Sequence, residues 1–267
     1  MSPAEGAATF RASAETYNRH VGRYAPALSA ALIEVAGLEQ GMRVLDVGCG
    51  PGGLTSALAD LVGAENVAAV DPSEPFAEAC RARVPGVDVR VGAAEELPFR
   101  DDEFDSVLSQ LVVNFMSEAE RGIREKRRVA RAGGVVAACV WDYAEGMTML
   151  RAFWDAACEV EPGEGSEKDE GRTMRYCSPG ELQDLWLGAG LADVRVGELV
   201  VSADYEDFDD LWTPFPTGIA PSGAFCASLD SERQEALRLA FRHRLGDPNG
   251  PFSLDARAWY AVGTASA

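Results

Sequence analysis

Positive charge is what this chain has least of. Its 267 residues carry 24 Lys and Arg against 43 Asp and Glu, a formal net charge of −19. A field of that sign repels phosphate backbones and anionic headgroups, so neither nucleic acid nor a membrane is expected as a partner. No stretch holds the ~18 or more uninterrupted apolar residues of a bilayer span. The chain does not open with the basic segment and apolar core of a secretory signal. Histidines are only two, and Cys49, Cys80, Cys139, Cys158, Cys177 and Cys226 show no C-x-x-C or Cys/His spacing. No metal site is expected, and the thiols read as reduced side chains of a cytoplasmic protein. Against these shortages, 47% of the residues are hydrophobic. That composition is globular, and the length suffices for one large α/β domain with its own core.

Glycine, by contrast, is concentrated in one place. Arg43-Val44-Leu45-Asp46-Val47 is a short run of strand type, and Gly48, Gly50, Gly52 and Gly53 follow it. Leu54, Leu58 and Leu61 then recur at helical spacing. Glycine permits positive φ and close approach of a ligand. The helix start offers unpaired N–H groups beside the strand's carboxyl end, where open α/β sheets bind nucleotide-like ligands. Gly48–Gly53 formally satisfies G-x-G-x-x-G, the dinucleotide fingerprint. Asp46 argues for a different ligand. A carboxylate facing the crevice at reduced dielectric repels a pyrophosphate. It attracts, directly or through water, a ligand with an amino group and a sulfonium. The D-x-G-x-G form therefore points to S-adenosylmethionine (SAM) rather than NAD.

A second strand, Val67-Ala68-Ala69-Val70, ends in Asp71, 18 residues after Gly53. About 20 residues separate such a glycine turn from a carboxylate that takes ribose hydroxyls, whose two adjacent donors match its two oxygens. The competing role for Asp71 is a helix N-cap, which Ser73 fills better.

Val44–Thr55 resembles motif I of the class I SAM-dependent methyltransferases. Val70-Asp71-Pro72-Ser73, Gly92-Ala93-Ala94-Glu95-Glu96-Leu97-Pro98-Phe99, Phe104-Asp105-Ser106-Val107 and Arg128-Val129-Ala130-Arg131-Ala132-Gly133-Gly134 follow in that family's order. Together they resemble its ubiquinone/menaquinone-methyltransferase-like branch, over roughly residues 40–141. The resemblance implies SAM as cofactor and S-adenosylhomocysteine as product, held by Asp46, Gly48, Cys49, Gly50, Asp71 and Pro72. Cys49 is then a small residue that fits the turn, not a nucleophile. An adenine site follows the third strand, Asp88–Val91. There Ala93 stands where the family has Asp, Ala94 keeps a backbone contact, and Glu95 or water replaces the lost carboxylate. Gln110 and Asn114 lie after the fourth strand, Phe104–Leu108, at the edge that faces the methyl group in this family. A leader of similar look folds over the site in relatives; it offers Arg23 to the methionyl carboxylate and Tyr17 as a pocket wall.

The remaining chain supplies the outer elements. Phe10–Ala36 reads as two helices, with Pro26 in the first turn of the second and Gly37 at its stop. Ser117-Glu118-Ala119-Glu120 reads as a capping box for a helix running to Arg131, whose run Arg124–Arg128 is a solvated face. Val135–Trp141 is a fifth strand, Val194–Val201 a sixth, and Trp259–Thr264 a final antiparallel one. Residues 161–172, charged and glycine-rich, read as mobile. The expected architecture is α/β: a doubly wound, seven-stranded, mostly parallel sheet with helical inserts. It forms a single methyltransferase domain, 1–267, with a helical leader, 1–37, over the cofactor site. Inserts 142–177 and 204–254 form a substrate cap walled by Phe153, Trp154, Trp212, Phe215, Phe225 and Phe252.

Methyl transfer from a sulfonium is an in-line displacement, so the protein mainly aligns the reactants and excludes water. A base is needed only for a weakly nucleophilic acceptor. His20, His243, Tyr24 and Tyr143 could serve, and no spacing singles one out, so no catalytic residue is assigned. The acceptor is expected to be a small, apolar or aromatic molecule, neutral or cationic, and the protein a monomer or homodimer. The alternatives are an NAD(P)-dependent oxidoreductase, against which Asp46 and the lack of Tyr-x-x-x-Lys count, and a non-catalytic SAM-binding module.

Overall fold

The computed structural model describes residues 19–266. One seven-stranded sheet runs through it: β1 (Val44–Val47), β2 (Val67–Asp71), β3 (Asp88–Val91), β4 (Phe104–Gln110), β5 (Ala130–Trp141), β6 (Leu191–Tyr205) and β7 (Phe252–Ala265). The spatial order is β3-β2-β1-β4-β5-β7-β6. The pairs β1–β2, β1–β4, β2–β3 and β4–β5 are parallel, and one strand is antiparallel. The doubly wound, mostly parallel sheet expected from the sequence is the observed one.

Contacts gather the chain into two compact units. The larger unit comprises Ala25–Val140, Tyr176–Leu199 and the end of the chain from Trp259. β1 and β2 are buried along their whole length, which is why they read as continuous apolar runs rather than alternating ones. On one face, Leu45, Val47, Val107, Ile123, Val136 and Trp186 form a shared core. Pro26 and Gly37 take their expected places, Pro26 near the start of the helix Ala25–Ala36 and Gly37 beyond its end at φ +67°.

The helix Ala119–Val129 corrects two expectations. It ends two residues before Arg131, and β5 begins at once at Ala130. Gly133 and Gly134 therefore lie in a strand, not at a helix stop. Nor does Ser117 cap this helix: no side-chain cap bond forms. Glu95 supplies the acceptor instead, its Oε1 taking the Ser117 N–H at 2.9 Å, the Ser117 hydroxyl at 3.1 Å and the Glu118 N–H at 3.3 Å. A carboxylate there also suits the positive end of the helix dipole.

The second unit comprises residues 19–24, Trp141–Arg175 and Val200–Ala258 of the described chain. Its helices Thr148–Val160, Ala220–Ser228 and Ser231–Arg244 enclose an aromatic core. Phe153 stacks on Phe215 at 4.5 Å between ring centroids and meets Trp154, Phe225 and Phe241 edge-on. Phe153, Trp154, Phe215 and Phe225 are buried against each other, so these four build the unit's core rather than walling a pocket. Segment 161–172 is not an open loop either. It forms the helices Pro162–Lys168 and Glu170–Thr173. Asp169, buried, is held bidentately by Arg151 at 2.9 and 3.1 Å. Among the described residues no helix is long and apolar enough to cross a membrane.

Candidate active site

The strand order reverses at β1. The chain runs β1, β2, β3 in one direction and returns to lay β4 against β1's other side. That reversal is the topological switch point at which α/β sheets open a ligand crevice beyond the strands' carboxyl ends. The glycine turn sits there, hooked to β2 by the N–H groups of Gly48 and Cys49, which both donate to the Val70 carbonyl at 2.7 and 3.0 Å.

The glycines of the turn have two different reasons. Gly48 has φ +78°, and a Cβ on it would lie 2.5 Å from Val112 Cγ2. Gly52, at φ +87°, has Cys80 Sγ 3.1 Å from that position. Both are glycine because the protein itself packs there. Gly50, at φ +52°, has nothing within 4 Å. Its bare face opens onto free space, as close approach of a ligand requires. Val112 is brought to Gly48 by a bend after β4, where Leu111 adopts φ +62° and its N–H donates to the Cys139 carbonyl at 2.8 Å. A non-glycine residue held in the left-handed region at a crevice edge is the kind of strain that functional sites store.

Asp46 is 1% exposed. Thr55 donates its hydroxyl to Oδ2 at 2.6 Å, while Oδ1 is buried without a hydrogen-bond partner. Burial pushes this carboxyl up to about 7, the Thr55 hydrogen bond and Lys126 pull it down, and Asp71 pushes it further up. A buried carboxylate oxygen left unpaired costs free energy until a donor arrives. Asp71 closes the other side of the turn: Oδ2 accepts the Gly50 N–H and Oδ1 the Ser73 N–H, both at 2.8 Å. Each oxygen keeps a lone pair for a further donor. Burial raises the Asp71 carboxyl and these two bonds oppose the rise. Pro72 follows, exposed. Ser73 takes the N-cap position of the helix Glu74–Arg83 without a side-chain cap bond. Cys49 is buried, and its thiol is pushed up by its hydrogen bond with Cys80 and by burial, so it stays protonated.

The other expected site residues divide. Ala94 is buried beside exposed Ala93. Glu95, expected beside the adenine, has its Oε1 engaged by the Ser117 N–H and hydroxyl and the Glu118 N–H. Gln110 Oε1 accepts the Ser29 hydroxyl at 3.0 Å, which ties the helix Ala25–Ala36 to the end of β4 and leaves the amide N–H groups of Gln110 available. Arg23 belongs to the other unit. Its guanidinium holds Asp210 bidentately at 3.0 Å, donates to the Asp204 carbonyl at 2.8 Å and lies 4.3 Å from the Tyr205 ring centroid. Arg23 is thus committed to Asp210 rather than to a ligand carboxylate. Tyr17 lies outside the described residues.

Of the residues weighed as bases, Tyr24 shares a hydrogen bond with Tyr205 at 3.1 Å and is pushed up to about 12, chiefly by burial. His243 is exposed beside Asp247 at 3.1 Å. His20 is 1% exposed against the edge of Phe215, with neither ring nitrogen hydrogen-bonded. Burial and Arg23 lower it to about 3, so it is a neutral imidazole at physiological pH.

Sequence reading missed Lys126. Taken as part of a solvated basic run, it is fully buried and donates to Ser109 Oγ at 2.7 Å and to the Ala137 carbonyl at 3.1 Å. The signal was present: Ala119, Ile123, Lys126 and Val129 recur at helical spacing on the buried face.

A parallel α/β sheet with a glycine turn, a paired acid and an unpaired acid at its switch point defines a nucleotide-type cofactor site. Comparison with known proteins narrows it. A family profile described as a methyltransferase domain matches residues 45–138. The malonyl-[acyl-carrier protein] O-methyltransferase of Geobacter sulfurreducens is 31% identical over 195 residues, which are 72% of this chain and 68% of that protein. The 2-methyl-6-phytyl-1,4-hydroquinone methyltransferase 1 of Oryza sativa subsp. japonica is 39% identical over 97 residues, 36% of this chain. The match covers only 29% of that protein's length, and 28% of its second rice counterpart. Phosphoethanolamine N-methyltransferase 2 of Haemonchus contortus, solved with SAM, shares the fold with a TM-score of 0.57 at 18% identity, over 90% of this chain and 52% of that one. The chain belongs to the class I SAM-dependent methyltransferases. The site fits that family's cofactor: Asp46 Oδ1 awaits a donor such as an amino group, and Gly50 leaves room for a ligand against the backbone.

Proposed function

We propose that this protein transfers a methyl group from SAM to a small apolar or aromatic acceptor, neutral or cationic, in the cytoplasm. The observation that carries the reading is the buried, half-paired carboxylate of Asp46 beside the open face of Gly50. A cationic amino group meeting Oδ1 satisfies the orphaned acceptor and stabilises its charge together. Asp71 holds the turn in shape through Gly50 and keeps lone pairs for ribose hydroxyls. Gln110, anchored by Ser29, presents its amide at the end of β4. The bound sulfonium supplies an already activated methyl group, so these residues need only position and desolvate. A dinucleotide reading leaves Asp46 facing a pyrophosphate, an unfavourable pairing at low dielectric.

The acceptor class rests on two supports. The net charge of −19 disfavours polyanions at encounter. The rice relative is named for a hydroquinone, an aromatic molecule. The Geobacter relative is named for a carrier-bound malonyl group, which supplies the contrasting arm of a test. Labelled SAM should give saturable transfer to members of a panel of small phenols, quinols and amines. Transfer confined to RNA, protein or malonyl thioesters would overturn the acceptor assignment and leave the cofactor assignment standing.

A further inference from the structure

Buried polar side chains of the second unit mostly find partners within it. Asp142 accepts from Arg257, Asp169 from Arg151 and Glu170 from the Trp154 indole, and Tyr24 and Tyr205 share a bond. Among the described residues, three fully buried side chains of this unit break the pattern. His20 Nδ1 and Nε2, Trp141 Nε1 and Ser222 Oγ have no hydrogen-bond partner. An unpaired polar group held away from water costs free energy, and His20 has two of them on one ring. The three are linked through their contacts. His20 meets the ring of Phe215 at 4.7 Å between centroids, close to perpendicular. The helix Ala220–Ser228 packs back onto the same turn: a Cβ on Gly223, next to Ser222, would lie 3.0 Å from the Phe215 carbonyl. Tyr24, on the short helix Val21–Tyr24 that follows His20, meets Trp141 edge-on at 5.6 Å.

We propose that these groups are the polar anchors of an acceptor site within the second unit, where the His20 imidazole hydrogen-bonds a hydroxyl group of a neutral aromatic acceptor. The inference rests on the reading of the chain as a methyltransferase for small aromatic molecules, and narrows that class to hydroxylated rings. The donor and acceptor inventory selects the ligand. A neutral imidazole has one bare nitrogen, to which a hydroxyl donates, and one N–H, which calls for an oxygen. Trp141 Nε1 only donates and calls for an oxygen too, while the Ser222 hydroxyl serves either way. The neighbouring groups are aromatic rings, which suit a flat apolar body with few polar handles. The Arg23 guanidinium places positive charge near His20, which disfavours a cationic amine there. Burial and that charge bring His20 down to about 3. The ring therefore accepts a hydrogen bond without keeping the proton, so His20 recognises the acceptor and is not its base.

Calorimetry with 4-methylphenol and 1,4-dimethylbenzene, at saturating S-adenosylhomocysteine, tests this, because the two probes differ only by a hydroxyl in place of a methyl. Wild type should bind the phenol at least about tenfold more tightly, as a site built to pair a hydroxyl rejects the analogue that lacks it. His20→Phe should bring the two probes to within about twofold of each other, with S-adenosylhomocysteine binding retained. His20→Asn, which keeps a donor and an acceptor, should restore a preference of about threefold or more. A wild type that does not discriminate, or that binds neither probe at millimolar concentration, would overturn the inference. So would a His20→Phe variant that loses both probes in equal measure, the result of a merely structural role. If the His20 variants do not fold, wild type labelled with 15N-histidine answers alone. The chain has two histidines, and exposed His243 is told apart by its own substitution, His243→Gln. The ring signals of His20 should shift with 4-methylphenol and stay with 1,4-dimethylbenzene; signals unmoved by the phenol would overturn the site. A transfer assay separates this inference from the reading beneath it. Phenol methylation with a KM indifferent to His20→Phe would overturn the anchor alone, whereas methylation of no small aromatic molecule would overturn the acceptor class itself.

Discussion

Replacing Asp46 by Asn should move cofactor affinity and folding stability in opposite directions. The side chain keeps its shape, and the new carbonyl can still accept the Thr55 hydroxyl, now 2.6 Å from Oδ2. What changes is the buried charge. Losing a hydrogen bond to a charged group weakens S-adenosylhomocysteine binding by ~1.5–3 kcal/mol, about ten- to more than a hundredfold in Kd. Stability moves the other way. Burial lifts the folded carboxyl from the usual 3.8 to about 7. The folded state therefore holds this proton more tightly than the unfolded one. Its contribution is fully present below the unfolded value and drains away as pH rises towards 7, after which it is constant. Roughly three units at ~1.4 kcal/mol each bound the loss at about 4 kcal/mol. Asn carries no such penalty. Asp46→Asn should thus be more stable than wild type by about 1–4 kcal/mol near pH 8 and similar to it near pH 4. Urea unfolding at several pH values, paired with calorimetry, reads both quantities. Stability differences that do not change with pH, or unchanged affinity in a folded variant, would refute the reasoning.

Three further outcomes follow from the geometry. Gly50→Val should fold, at some cost from its φ of +52°, yet lose measurable cofactor binding because the side chain enters open ligand space; Gly48→Ala should lower the melting temperature because its Cβ meets Val112 at 2.5 Å. Asp71→Ala should weaken cofactor binding by ~1.5–3 kcal/mol, with almost no further loss on a 2′,3′-dideoxy ligand; full additivity of the two losses would remove Asp71 from the ribose. Glu170, buried against the Trp154 indole N–H at 2.9 Å and pushed up to about 7 by burial, should destabilise the protein as pH rises from the ordinary glutamate range to 7; Glu170→Gln should remove that slope in a urea series, and an unchanged slope would count against it.

The sequence was legible wherever local chemistry alone decides the outcome. β1, the glycine turn and Asp71 are fixed by apolar runs, by glycine's tolerance of positive φ and by short spacing. β3 spans Asp88–Val91 as expected. The misreadings fall where a distant residue wins over a local signal. Ser117 and Glu120 carry the pattern of a capping box, but Glu95, 22 residues upstream, takes the Ser117 donors first. Gly133 and Gly134 look like a helix stop, yet pairing with β4 draws the strand back to Ala130. Lys126 was read by its charge, whereas its helical phase with Ile123 and Val129 decides its burial. Segment 161–172 has the composition of a loop, and the Arg151–Asp169 pair, invisible without tertiary structure, orders it.

Calorimetry of the wild-type chain with SAM, S-adenosylhomocysteine and NADH tests the central claim most directly. Saturable one-to-one binding of the first two, lost in Gly50→Val and weakened in Asp46→Asn, with none of NADH, is the predicted result. A folded protein that binds NADH, or that binds neither SAM nor its product at millimolar concentration, would contradict the account.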